Sequence, residues 1–120
     1  MTKILLVDDD KNLLSMARVQ LERHYEVITA LSGEDALGML NEGLTPGIVL
    51  LDIDMPGMNG YELAYTVRQS ANHAKTPIVF LTGNSSREHV INAMQAGGND
   101  FVVKPVNQEL LLTKVGKYLA

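Results

Sequence analysis

The chain has no cysteine, and that absence removes disulfide frameworks, thiolate zinc sites and cysteine nucleophiles together. It has no basic cluster either: ten lysines and arginines face fourteen aspartates and glutamates, for a formal charge of −4. Nucleic acid and anionic membrane are therefore poor partners for this segment. Apolar runs are only a few residues long, far short of a membrane span, and Met1-Thr2-Lys3 leads into an apolar run with no signal-peptide pattern, so a cytoplasmic location is expected. No linker or low-complexity stretch interrupts the 120 residues, which suit one domain with a single core over residues 1–120. At 46% apolar and 20% charged residues, the composition is that of a packed fold and not a disordered segment.

Short β-branched or leucine-rich runs alternate with longer stretches of helical spacing, the pattern of repeated strand-helix units. Strands are expected at Ile4–Val7, Glu26–Ala30, Ile48–Leu51, Ile78–Leu81 and Phe101–Val103. The intervening helices carry inward stripes: Leu14, Ala17 and Leu21; Ala36, Leu37 and Leu40; Leu63, Ala64 and Val67; Val90, Ile91 and Met94; Leu111, Val115 and Leu119. Ser32 with Asp35 and Ser85 with Glu88 resemble capping boxes, Asn59 or Gly60 opens the third helix, and Asn107 caps the last. Every return connection is long enough for a right-handed crossover, so the expected fold is an α/β, doubly wound, five-stranded parallel sheet with five helices. Helices on both faces explain why strands one, three and four are apolar almost throughout.

Four of the five strands end on chemistry. Asp8 and Asp9 follow the first, Asp52 the third, Thr82 the fourth and Lys104 the fifth, whereas the second ends on Ala30 and Leu31. In an open parallel sheet, ligands bind beyond the carboxyl ends of the strands where the strand order reverses, so these four ends belong at one crevice. Carboxylates sharing a cleft either titrate upward or hold a cation, and a hard divalent ion such as Mg2+, with Mn2+ as a substitute, suits oxygen ligands. Asp52 could then act as an oxygen nucleophile on phosphorus, with Lys104 offsetting charge and Thr82 donating a hydrogen bond to the phosphoryl group.

Val7-Asp8-Asp9, Leu51-Asp52 followed by Met55-Pro56-Gly57-Met58-Asn59-Gly60, Phe80-Leu81-Thr82 and Phe101-Val102-Val103-Lys104-Pro105 together resemble the receiver domain of two-component response regulators and are chemotaxis-regulator-like. The resemblance covers the whole chain and keeps the family's order and spacing. It implies a flavodoxin-like fold with strand order 2-1-3-4-5, the order of a chemotaxis protein that serves as a general example of this topology. It further implies that Asp52 is the phosphoacceptor and that Asp8, Asp9, Asp52 and the backbone carbonyl of Asp54 hold Mg2+. Thr82 and Phe101 would act as switch residues, Pro105 would follow a cis peptide, and Asp54 and Asn84 would tune dephosphorylation. The implied partners are a sensor histidine kinase or phosphotransfer protein and a downstream protein or fused output domain. The implied activity is a phosphorylation-dependent switch read out through helix four, strand five and helix five, without enzymatic turnover.

Two features depart from the family's common pattern: Asp54 adds a carboxylate two residues past the acceptor, and Val106 replaces an aromatic residue after the proline. Two other readings compete. Asp52-Ile53-Asp54 and Thr82-Gly83-Asn84 are similar to the first two motifs of haloacid-dehalogenase-type phosphatases, although Lys104 is followed only by a final helix and no further acidic ligands. A receiver-like binding module that has lost regulated phosphorylation is the other. Asp10 is read as a helix cap or turn former, the histidines His24, His73 and His89 as surface residues, and the methionines as core or loop filling.

Overall fold

The computed structural model describes residues 1–83 and 86–119. Its elements alternate strictly: β1 (Lys3–Val7), α1 (Lys11–Leu21), β2 (Glu26–Ala30), α2 (Gly33–Asn41), β3 (Ile48–Asp52), α3 (Gly60–Gln69), β4 (Ile78–Thr82), α4 (Arg87–Gln95), β5 (Asp100–Val103) and α5 (Gln108–Leu119). The five strands form one sheet in the order β2-β1-β3-β4-β5, with every pairing parallel. This is the flavodoxin-like order that the resemblance implies, and β2, which carries no polar terminus, is an outer strand.

Side-chain alternation along the strands divides the interior into two layers. Leu5, Val7, Val49, Leu51, Ile78 and Phe80 point toward α2, α3 and the buried Ala93 of α4. Ile4, Leu6, Ile48, Leu50, Val79 and Leu81 point the other way, onto Leu14, Ala17 and Leu21 of α1 and Leu111 and Val115 of α5. Burial on both faces is what a central parallel strand requires, and β3 and β4 are buried along their whole length.

Local signals set the helix starts. Asp10 Oδ1 accepts from the backbone N–H of Asn12 and Leu13, so Asp10 is the N-cap of α1. Asn59 and Glu62 close a reciprocal capping box on α3, and Asn107 caps α5 through Leu110 N–H. Gly43 ends α2 at φ 108°, a left-handed conformation that glycine adopts without Cβ strain.

Three expectations need correction. In α4, Ile91 and Met94 face solvent, at 43% and 37% exposure, while Ala93 is buried and Val90 only partly so. The observed cap is Ser86, whose hydroxyl accepts from His89 N–H. The helix packs on the sheet through Ala93, which leaves Ile91 and Met94 outward; Ser85, half of the expected capping box, lies outside the described residues. Second, His73 is buried. The chain after α3 folds back through a short 3-10 turn, Ala71–His73, which brings His73 beside Leu37, Leu40 and Val67. Third, the methionines do not all fill the interior: Met55 is buried, but Met16 and Met94 project into solvent from α1 and α4.

Candidate functional site

The carboxyl ends of β1, β3, β4 and β5 lie side by side because the strands pair in register: Val7 opposite Leu51, Asp52 opposite Leu81, and Thr82 opposite Val103. Lys104 follows directly, its backbone N–H donating to the Thr82 carbonyl at 2.7 Å. The Lys104–Pro105 peptide is cis. Beneath the acceptor loop, Gly60 N–H donates to the Ile53 carbonyl at 2.8 Å, and a Cβ at Gly60 would collide with the Asp52 backbone carbonyl. The glycine thus lets the start of α3 close against the end of β3.

At this edge Asp8, Asp9 and Asp52 each place a carboxylate oxygen within 4.8 Å of the others. Asp8 is fully buried and Asp52 is 4% exposed, whereas Asp9 is open to solvent. The Lys104 ammonium lies 2.9 Å from Asp8 Oδ2 and 3.0 Å from Asp52 Oδ1. Its bond to Asp52 is a directed hydrogen bond. Asp8 Oδ2 gains an ion pair with this ammonium but, among the described residues, no hydrogen bond. Asp8 Oδ1 accepts from Asp10 N–H at 2.9 Å, which holds the carboxylate in place.

Three carboxylates against one ammonium leave two negative charges uncompensated in a largely desolvated cleft. Burial pushes the Asp52 carboxyl up to about 6; the hydrogen bond from Lys104 works against that, and the charges of Asp8 and Asp9 add to it. For Lys104, burial favours the neutral amine, but its close contacts with Asp8 and Asp52 and their negative charges more than offset this and raise its pKa. An acidic cluster with a buried oxygen lacking a directed donor and excess negative charge fits a hard divalent cation with oxygen ligands.

The structure therefore brings together Asp8, Asp9, Asp52 and Lys104, with the buried Thr82 on the same strand edge. Among the described residues, the carboxylate of Asp54 is exposed and is not part of the acidic cluster. Phe101 stands apart on β5, half-buried against the α2-α3-α4 layer, and Asn84 lies outside the described residues. A cavity of about 480 Å³ opens between the start of α1 and the loop after β5; it shares Lys104 with the acidic cluster but none of its carboxylates, and Leu13, Met16, Pro105 and Val106 line it further.

A family model described as the response regulator receiver domain matches residues 4–116. The chain belongs to this family. As a receiver domain it is similar to the Bacillus subtilis uncharacterized transcriptional regulatory protein YrkP, at 39% identity over 114 residues, 94% of this chain and 47% of that protein. It is also similar to the Vibrio cholerae CAI-1 autoinducer sensor kinase/phosphatase CqsS, at 34% identity over 98% of this chain but 17% of that protein. Its structure superposes on the Vibrio cholerae chemotaxis protein CheY4 with a TM-score of 0.93, at 33% identity and 98% coverage of both chains. The chain spans about half the length, or less, of the curated relatives it matches. Receiver domains of two-component systems are generally not turnover enzymes.

Sequence reasoning overlooked Asp100, Lys114 and Arg68. Lys114 bonds Asp100 at 2.6 Å across the edge of the sheet, and Arg68 donates to the carbonyls of His73, Thr76 and Gly97 and to Asn99 Oδ1. For Lys114, the available signal was its place next to the inward Val115 on the last helix.

Proposed function

We propose that this receiver domain is a phosphorylation-dependent switch that takes a phosphoryl group from a histidine kinase or phosphotransfer protein onto Asp52. The observation that carries the reading is the meeting of Asp8, Asp9, Asp52 and Lys104, drawn from three strand ends, at one desolvated edge beside Thr82.

Asp8, Asp9, Asp52 and the backbone carbonyl of Asp54 would hold Mg2+, with Mn2+ as a substitute. When bound, the ion supplies positive charge against the oxygens of the transferring phosphoryl group. Asp52 provides the nucleophilic oxygen: a new O–P bond forms as the N–P bond to the donor histidine breaks, and the imidazole nitrogen keeps the bonding pair. Lys104, already within reach of Asp52, offsets the charge that the phosphoryl group brings. The Thr82 hydroxyl donates to a phosphoryl oxygen, and the ring of Phe101 follows Thr82 inward, altering the surface of α4, β5 and α5. A shift of a pre-existing equilibrium by a few kcal/mol is sufficient for such a response.

Hydrolysis of the acyl phosphate resets the switch, at a rate set partly by Asp54 and Asn84. The donor would rest its apolar side chains on the cavity beside Lys104, and the recipient would be a downstream protein or an output domain. No helix among the described residues is long and apolar enough to cross a membrane, and a cytoplasmic site of action accords with a kinase donor. Incubation with a small acyl phosphate and Mg2+ tests the reading. The intact mass should rise by one phosphoryl group, and a chelator or Asp52→Asn should abolish the gain; an unchanged mass would favour a binding module that has lost phosphorylation.

A further inference from the structure

We infer that Lys114 is a positioning residue for the switch, holding the Phe101 ring in its half-buried place until Asp52 is phosphorylated. The inference rests on the switch reading of Phe101 above. Phe101 and Asp100 are neighbours on the edge strand and point to opposite faces of the sheet, so contact with both requires a side chain that reaches round the edge. Lys114 makes that reach: its ammonium lies 2.6 Å from Asp100 Oδ1 and 5.7 Å from the centre of the Phe101 ring. A cation at that distance from an aromatic face is attracted by the ring quadrupole.

The ammonium is the fixed partner and the ring the movable one. The adjacent Val115 and Leu111 are fully buried and anchor α5 against the sheet. The Asp100 carboxylate is itself held by the Phe101 backbone N–H at 2.8 Å and by the Tyr118 hydroxyl at 3.2 Å, with the Lys117 ammonium 3.8 Å away. The ring has no comparable restraint: β5 is an outer strand, and Phe101 is only partly enclosed. Inward rotation would carry the ring away from an ammonium that stays behind. Removing the charge should therefore tilt the resting equilibrium toward the inward ring and make phosphorylation easier.

The chain has two phenylalanines, so fluorophenylalanine labelling yields two fluorine resonances, and Phe101→Leu assigns them. Phe80, fully buried, is the internal reference. In the unphosphorylated protein, Lys114→Met should move the residue-101 resonance toward its phosphorylated position and leave that of Phe80 in place. Lys114→Arg, which keeps a cation, should restore the resting position. The initial rate of phosphorylation by acetyl phosphate with Mg2+ should rise about two- to five-fold in Lys114→Met, the range expected for one partly exposed cation-ring contact. An unmoved residue-101 resonance overturns the inference. So does movement of both resonances in Met and Arg variants alike, which would mean general loosening of α5, and so does an unchanged rate with a displaced ring. Failure of the unaltered chain to take phosphate at Asp52 would instead refute the underlying switch reading, while a residue-101 resonance displaced by Lys114→Met and returned by Lys114→Arg would still show that Lys114 holds the ring.

Discussion

Replacing Asp52 with asparagine should stabilise the fold when no divalent cation is present, although it removes the proposed acceptor. Burial strips water from the charge of this carboxyl and pushes it up to about 6 in the fold, from an ordinary 3.8. At pH 7 the folded chain holds an ionised group whose protonation it favours, a destabilisation of about 3 kcal/mol. The folded state binds more protons than the unfolded state between about pH 4 and 6, so stability from this group is present at low pH, falls through that window and levels off above it. Asparagine stands in for the neutral carboxyl, and the hydrogen bond from Lys104 is already included in the raised value, so it is not subtracted again. The expected gain at pH 7 is then up to about 3 kcal/mol, or roughly 10 °C in melting temperature for a domain of this size.

Urea denaturation with a chelator, run at pH 7 and again near pH 4.5, measures this directly. The advantage of the variant should shrink at the lower pH. Saturating Mg2+ should narrow or reverse it, because a ligand stabilises the form that binds it more tightly. A variant less stable than the unaltered protein at pH 7 with chelator, or an advantage independent of pH, would refute the claim that crowded acids strain this edge.

Other consequences follow from particular contacts. Arg68→Met strips three backbone carbonyls and the Asn99 side chain of a shared donor and should cost about 3 kcal/mol in chemical denaturation; a loss within experimental error would show that water replaces it. Gly60→Ala places a methyl group against the Asp52 carbonyl, a backbone atom that no rotamer can move, so it should lower stability by about 2 kcal/mol and slow phosphorylation as well. An alanine variant with normal stability and rate would contradict that packing. Burial alone would raise the Asp100 carboxyl, but its bonds from Lys114 and the Phe101 N–H outweigh burial and hold it below the usual range. Its contribution, about 1–2 kcal/mol, is present above pH 4 and lost as pH falls through the lowered folded value. The stability difference between the unaltered chain and Asp100→Asn should therefore close below about pH 4; a constant difference would refute the ion pair as its source.

Much of this fold is legible in one dimension because its strongest determinants are local. Ile4 to Val7 and Ile48 to Leu51 are continuously apolar, which only strands covered on both faces require, and Asp10, Asn59 and Asn107 mark helix starts by their own side-chain chemistry. The site is legible because parallel pairing converts the positions of strand ends into neighbours in space. What escapes the sequence is nonlocal or finely balanced. Along α4 the apolar residues Val90, Ile91, Ala93 and Met94 are compatible with more than one inward stripe, and only packing against the sheet selects Ala93 and leaves Ile91 and Met94 at the surface. His73 lies among polar residues in the chain, and only the fold-back after α3 buries it. Lys114 reads as a solvated helix residue until the edge strand beside it is in place.

The central claim, that the strained carboxylate at the end of β3 accepts phosphate, is tested most directly by trapping the product. The protein is incubated with acetyl phosphate and Mg2+, reduced with borohydride, which converts an aspartyl phosphate to homoserine, and digested for peptide mass mapping. The account predicts homoserine at position 52 and nowhere else, absent when chelator is added. Homoserine at Asp8, Asp9 or Asp54, or none at all under conditions that phosphorylate a control receiver, would contradict it.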